Sequence, residues 1–270
     1  MRPAPPLPQG IALDQPSPAR IYDYLLGGYH NFAIDRQAAE QLRALSPDVP
    51  LMMRANRAFL HRAVTFLVRQ GLTQFLDLGS GIPTVGNVHE VAQTLAPAAR
   101  VVYVDRDPVA VSYSESLLAD CPTAAIIQAD ARQPEDILRH PVTRQLLDFT
   151  QPVAVLLVAV LHFVTEDAVA ERLVRRLIAA LATGSYLVVS HATGEGRAPE
   201  RVATGNAIYA RSTQPVRLRS RAQIAHLFAG LTLVEPGLVY IPAWRPTGPD
   251  DLFVDAPERT AGFAGVARKG

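Results

Sequence analysis

The chain has 270 residues, 49% hydrophobic and 19% charged, with a net charge of +1. This suits one large α/β domain with a sizeable core and excludes a disordered polymer, and the near-neutral charge gives no footprint for nucleic acid or an anionic membrane. Cys121 is the single cysteine, so an intrachain disulfide and a cysteine-rich metal site are excluded.

The first 16 residues hold five prolines and read as a flexible tail without the apolar core of a signal peptide. Ser17-Pro18 has the chemistry of a helix start. Ile21, Tyr24 and Leu25 share one face, and Gly27-Gly28 stops that helix. Tyr29, His30 and Asn31 follow directly. A second helix is expected over Ile34 to Leu45 and a third from Leu51 to Arg69, where Met52, Ala55, Phe59 and Ala63 keep helical spacing. Residues 17–72 therefore read as a helical cap ahead of the first strand.

From residue 74 strands and helices alternate. Strands fit Gln74–Leu78, Arg100–Asp105, Ala124–Ala129, Pro152–Val158 and Ser185–His191. Helices fit Val85–Leu95, Pro108–Leu118, Pro134–Asp148 (with the helix breaker Pro141 inside it) and Glu166–Ala182. Such alternation predicts a mainly parallel, doubly wound sheet over residues 73–270, with all strand tips on one edge. Pro199 to Ala210 predicts a helix over that edge, and Ser220 caps another running to Ala229. Leu231–Val239 and Gly262–Arg268 are expected as a closing antiparallel pair. The longest apolar run, Val153 to Leu161, is about half of what crosses a bilayer. The expectation is a cytoplasmic protein with no membrane partner; the sequence carries no signal for an oligomeric state.

The first strand ends in Asp77-Leu78-Gly79-Ser80-Gly81, an acid followed by a turn poor in side chains. Gly79 and Gly81 let the backbone bend and approach a ligand. The dinucleotide fingerprint fails at its third position, which is Thr84. Asp77 puts negative charge where a pyrophosphate would lie, and suits a ligand with an ammonium. That mismatch favours S-adenosylmethionine (SAM) over a nicotinamide dinucleotide. Asp105, followed by Arg106, ends the second strand 26 residues after Gly79, near the offset of a ribose-binding carboxylate. The alternative, a helix cap, suits Asp107 better. Asp130 and Ala131 follow the third strand, where Asp130 would accept from an adenine amine or else cap the next helix.

The DLGSGIPT turn, the YVDRDP strand and the QADAR tip resemble class I SAM-dependent methyltransferases. The opening PSPARIYDYLLGGYHNFAIDR, with NRAFLHRAV, PGLVYIPAWRP and FAGVARKG, resembles an actinobacterial S-adenosyl methyltransferase family long labelled a domain of unknown function. The resemblance covers residues 17–268. It implies a Rossmann-like α/β fold: a mainly parallel seven-stranded sheet, helices on both faces and an N-terminal helical lid. By the same resemblance Gly79 and Gly81, with Ser80 between them, would pack on the methionine moiety. Asp105 would hold the ribose, Asp130 with Ala131 would flank adenine, and the GGYHNF turn would wall the site with Tyr29 on the ligand.

Arg57 is a candidate partner for the SAM carboxylate. Ala159 and Val160 leave the fourth strand beside the cofactor site, and no Asn/Asp-Pro-Pro-Tyr motif follows, which speaks against methylation of a base amine or amide. His162 is the candidate catalytic base for an acceptor hydroxyl, with His191 a weaker one. No set of residues has metal-ligand spacing. The reading is a SAM-dependent methyltransferase acting on a small molecule. A SAM-binding module without catalysis and a nucleotide-dependent oxidoreductase are the alternatives, and RNA methylation is a weaker one because no basic stripe appears.

Overall fold

The computed structural model describes residues 11, 13–83 and 86–270. Thr84, Val85 and most of the proline-rich start lie outside the described residues.

Three helices come first: α1 (Pro18–Leu25), α2 (Ala33–Leu45) and α3 (Val49–Arg69). Then β1 (Gln74–Leu78), α4 (Val88–Leu95), β2 (Arg100–Asp105), α5 (Pro108–Leu118) and β3 (Ala124–Gln128) alternate. Next are α6 (Pro134–Arg139), α7 (Pro141–Leu146), β4 (Ala154–Val158), α8 (Asp167–Ala180) and β5 (Tyr186–Ala192). The chain closes with α9 (Pro199–Ala210), α10 (Arg221–His226), β6 (Thr232–Leu233), β7 (Val239–Tyr240) and β8 (Gly262–Arg268). The helix expected over 134–148 breaks at Pro141, which starts α7 instead of continuing α6; proline has no N–H for the ladder and clashes with the preceding turn.

The sheet runs β3-β2-β1-β4-β5-β8-β6, with β7 also paired to β8. Strands β1 to β5 are parallel and β8 is antiparallel to β5. It has eight strands where seven were expected. The single strand foreseen over Leu231–Val239 is split by a turn at Pro236-Gly237. There Gly237 takes φ +84° and donates to the Val234 carbonyl. Both fragments pair with β8.

Alternation along each strand sorts the core into two layers. Leu76, Leu78, Val102 and Val155 pack with α6, α7, α8 and α10 on one face. Phe75, Val101, Tyr103 and Leu156 pack on the other, against α3 through Phe59, Ala63 and Leu67. So α3, expected in the cap, also covers the sheet. A separate cluster joins α1, α2 and α9 through Ile21, Leu25, Ala39, Leu42 and Ile208. These three helices stand over the C-terminal edge of the strands. Between β1 and β4 the sheet order reverses direction, and a crevice opens there in folds of this kind.

Candidate active site

The glycine turn needs its glycines for two reasons. Gly79 and Gly81 sit at φ +67° and +70°, a region that side chains disfavour. A Cβ on Gly79 would also lie 2.6 Å from the Val160 side chain. The turn is pinned to β2: Gly79 and Ser80 donate to the Val104 carbonyl, at 2.7 and 3.1 Å. Gly81 donates to Asp105 Oδ2 at 2.7 Å, and Asp107 donates to Oδ1 at 2.8 Å. Asp105 is therefore held by two backbone donors. Burial nevertheless pushes its carboxyl up to about 6. Asp107 caps α5 by accepting from Val109, which leaves Asp105 free of that duty.

Asp77 is buried, and no hydrogen bond to its carboxylate forms among the described residues. Its pKa rises to about 7, chiefly through burial, with Arg57 opposing and Asp105 adding to the rise. The Ser80 hydroxyl beside it is also buried without a partner. Buried polar groups are ordinarily satisfied, so the Asp77 carboxylate and the Ser80 hydroxyl mark a place for a polar ligand. Arg57, on α3, reaches the same space and donates to the Gly86 carbonyl at 3.0 Å.

Asp130 does not cap the next helix; Gln133 holds that position. Its carboxylate instead accepts from the Arg132 backbone and guanidinium, with Arg106 Nη1 3.7 Å away. Burial works to raise its pKa, but these contacts together leave it lowered. Arg106, Asp130 and Ala131 all line the cavity. Tyr29 does not. It is 83% exposed, with its ring 4.4 Å from that of His30. The turn contributes in another way: Asp23 accepts from the His30 backbone and the Asn31 amide.

Sequence reasoning missed two networks that join the cap to the sheet edge. Ser17, expected as a helix cap, gives its hydroxyl to Asp107 instead. Arg20 bonds Asp35 at 2.9 Å and lies 3.8 Å from Asp107. In the second network Ser190 Oγ accepts from the Ala159 backbone at 2.9 Å and donates to Asn56 Oδ1 at 2.6 Å. Asn56 donates in turn to the Tyr22 hydroxyl, which donates to the Met53 carbonyl. This fixes Ala159 at φ +59°, so that Val160 meets the glycine turn. The only available signal was Asn56, a polar residue on the apolar stripe of α3.

His162 and His191 are both buried, with ring centroids 5.5 Å apart. His191 Nδ1 bonds the Ala192 carbonyl, so it carries the proton, and Nε2 accepts from Arg219 at 3.0 Å. Burial, with Arg219 adding to it, pushes its pKa down to about 4. His191 is thus a neutral, fully engaged ring. His162 Nδ1 accepts from the Ala192 N–H at 3.5 Å. Burial, then His191 and Arg219, hold His162 well below its usual pKa. Both rings line the cavity.

These groups border one cavity of about 360 Å³, within the range of small-molecule sites. It runs from the glycine turn, Asp77 and Asp105 to the space beneath α2 and α9. The model of a family described as S-adenosyl methyltransferase matches residues 6–270. The chain belongs to the S-adenosyl methyltransferase family. Two solved structures are similar along nearly the whole chain. A candidate methyltransferase from Thermobifida fusca YX has 41% identity and a TM-score of 0.90, over 97% of this chain and 98% of that one. A DUF574 family protein from Streptomyces avermitilis MA-4680 has 42% identity and a TM-score of 0.90, over 95% and 98%. No curated protein matches the chain.

SAM is the cofactor of this methyltransferase family, and the residues present fit it. Asp77 offers an unpartnered carboxylate to an ammonium, and the Ser80 hydroxyl lacks a partner beside it. The glycine turn leaves backbone open to close approach. No helix among the described residues is long and apolar enough to cross a membrane.

Proposed function

We propose that the protein methylates a small molecule and that Asp77, Gly79, Ser80, Gly81, Asp105 and Asp130 hold SAM. In this reading Asp77 takes the ammonium, Arg57 the carboxylate, and Asp105 the ribose hydroxyls. Arg106, Asp130 and Ala131 flank the adenine. Ala159 and Val160 border the methyl group. Bound there, SAM supplies a methyl group already activated by its sulfonium. What this chain adds is positioning and exclusion of water.

The observation that carries the proposal is the continuity of the cavity. One space joins the acidic end, suited to SAM, to a second end beneath α2 and α9 that is walled by side chains of the cap.

The test is transfer of labelled methyl from SAM into a cell extract, followed by separation of metabolites, protein and RNA. Label in the metabolite fraction, lost in Asp105→Ala, is the expected result. Label confined to protein or RNA would reject a small acceptor. Tight S-adenosylhomocysteine binding without transfer would favour a sensor.

A further inference from the structure

The two ends of the cavity differ in charge. The carboxylates among its lining residues are Asp23, Asp77, Asp105 and Asp130. Three lie at the strand tips, and Asp23 lies on α1, the helix that Ser17 ties to Asp107. The other end is bounded by Leu42 and Leu45 of α2, Val49 and Met53 of α3, and α9. Among the described residues no carboxylate lines it, while Arg197 and Arg201 stand at its edge.

One wall of this end is a row of rings. His162 packs on Phe163 at 4.3 Å between centroids, and Phe163 on Tyr209 at 5.7 Å. The row carries two hydrogen-bond donors. A backbone N–H can only donate, so His162 Nδ1, which receives the Ala192 N–H, has no proton of its own. In the neutral ring the proton is then on Nε2. No partner to Nε2 is present among the described residues, and it is not among the buried polar atoms sealed without one. The same is true of the Tyr209 hydroxyl. Burial pushes that phenol up to about 12, so it keeps its proton.

We propose, on the basis of the methyltransferase reading above, that this end is the acceptor subsite. It takes a planar, apolar phenol or enol as its oxyanion, and His162 Nε2–H donates to the reacting oxygen. His162 thereby acts as a hydrogen-bond donor, not as a base, because its free nitrogen is the protonated one. An oxyanion fits a site with two free donors and arginines at its edge. A cationic amine would find no carboxylate there. The hydroxyl proton leaves to water before the molecule enters. The oxygen lone pair then forms the O–C bond, the bond from sulfur to the methyl carbon breaks, and its electron pair returns to sulfur. The products are the methyl ether and neutral S-adenosylhomocysteine. His162 keeps its proton throughout.

The charged and titratable groups acting on His162 are His191, from β5, and Arg219, from the loop before α10. Neither offers a negative charge that would turn the imidazole into a cation.

The test uses the full chain saturated with S-adenosylhomocysteine. Calorimetry first establishes that this ligand binds; no binding would sink the cofactor reading, and the proposal with it. The loaded protein is then titrated with 4-nitrophenol, followed by the visible band of the phenolate, and with benzylamine. The phenolate is expected to bind and benzylamine to bind much more weakly. Bound 4-nitrophenol should ionise about one pH unit lower than free. His162→Ala should weaken phenolate binding about 10- to 100-fold, since a donor to a charged oxygen is lost. His162→Gln, whose amide can donate, should retain most of it. S-Adenosylhomocysteine affinity should stay the same in both variants, which shows that they fold. Equal binding of the amine, no binding of 4-nitrophenol, or an unaffected His162→Ala would each overturn the proposal.

Discussion

Ser190 Oγ stands 2.6 Å from Asn56 Oδ1, a bond between β5 and α3 across 134 positions of sequence. The same oxygen accepts the Ala159 N–H, so a cap helix and the turn after β4 share one hydroxyl. Ser190→Ala removes both contacts: the buried Asn56 Oδ1 loses its donor, while the Ala159 N–H keeps only the Ser190 backbone carbonyl at 3.1 Å. The expected cost is about 1–3 kcal/mol. Denaturant unfolding should show it, and calorimetry should show weaker S-adenosylhomocysteine binding, because Val160 loses its anchor beside Gly79. An unchanged affinity would mean that Ala159 holds its conformation without help.

Gly79→Ala tests the turn itself. The new methyl would meet Val160 in a backbone region that side chains disfavour. A loss of about 1–3 kcal/mol of stability is expected from the strain alone. Cofactor affinity should fall by tenfold or more. The same change at Gly81, where a Cβ would meet no described residue within 4 Å other than its chain neighbours, should cost only the backbone strain.

Asp77 predicts a pH dependence. In the folded chain its carboxyl holds a proton up to about 7, whereas in the unfolded chain it loses the proton near 4. Between those values the folded state binds more protons, so stability falls as pH rises from about 4 to about 7. Asp105, raised to about 6, acts in the same direction. The combined effect is on the order of a few kcal/mol. Asp77→Asn should flatten the profile, measured by urea unfolding at pH 5 and pH 8. S-Adenosylhomocysteine, through its ammonium, should bind the wild type more tightly as pH rises through 7, with release of a proton. The Asp77→Asn variant should lose that dependence.

At the cap, a Cβ on Gly28 would collide with the Asp23 carboxylate. Asp23 already holds the His30 backbone and the Asn31 amide. Gly28→Ala should therefore displace the turn between α1 and α2. Proteolysis near residues 26–32 should accelerate more than global unfolding does. Equal acceleration across the chain would place the damage in the core instead.

The strand-tip acids and the glycine turn were legible because their logic is local: a strand, a bend and the residue beside it. Asp107 as the α5 cap was legible for the same reason. Asn56, Ser190 and Tyr209 were not, since each reads as an ordinary helix or strand residue until the chain brings them together. Tyr29 was expected to wall the site from a resemblance. The turn that carries it exposes the ring and spends its neighbours on Asp23. The eighth strand was hidden because Pro236-Gly237 divides an apolar run whose halves alternate alike.

Strand β8 lies inside the sheet, between β5 and the short strand β6. Until residues 262–268 are available, β5 has an open edge with unpaired backbone groups along its whole length. Such edges recruit other chains. A ribosome stalled before Gly262 would thus carry a nascent chain whose central strands are formed and whose flank is adhesive. Safe folding of this protein then depends on how quickly translation of β8 follows that of β5.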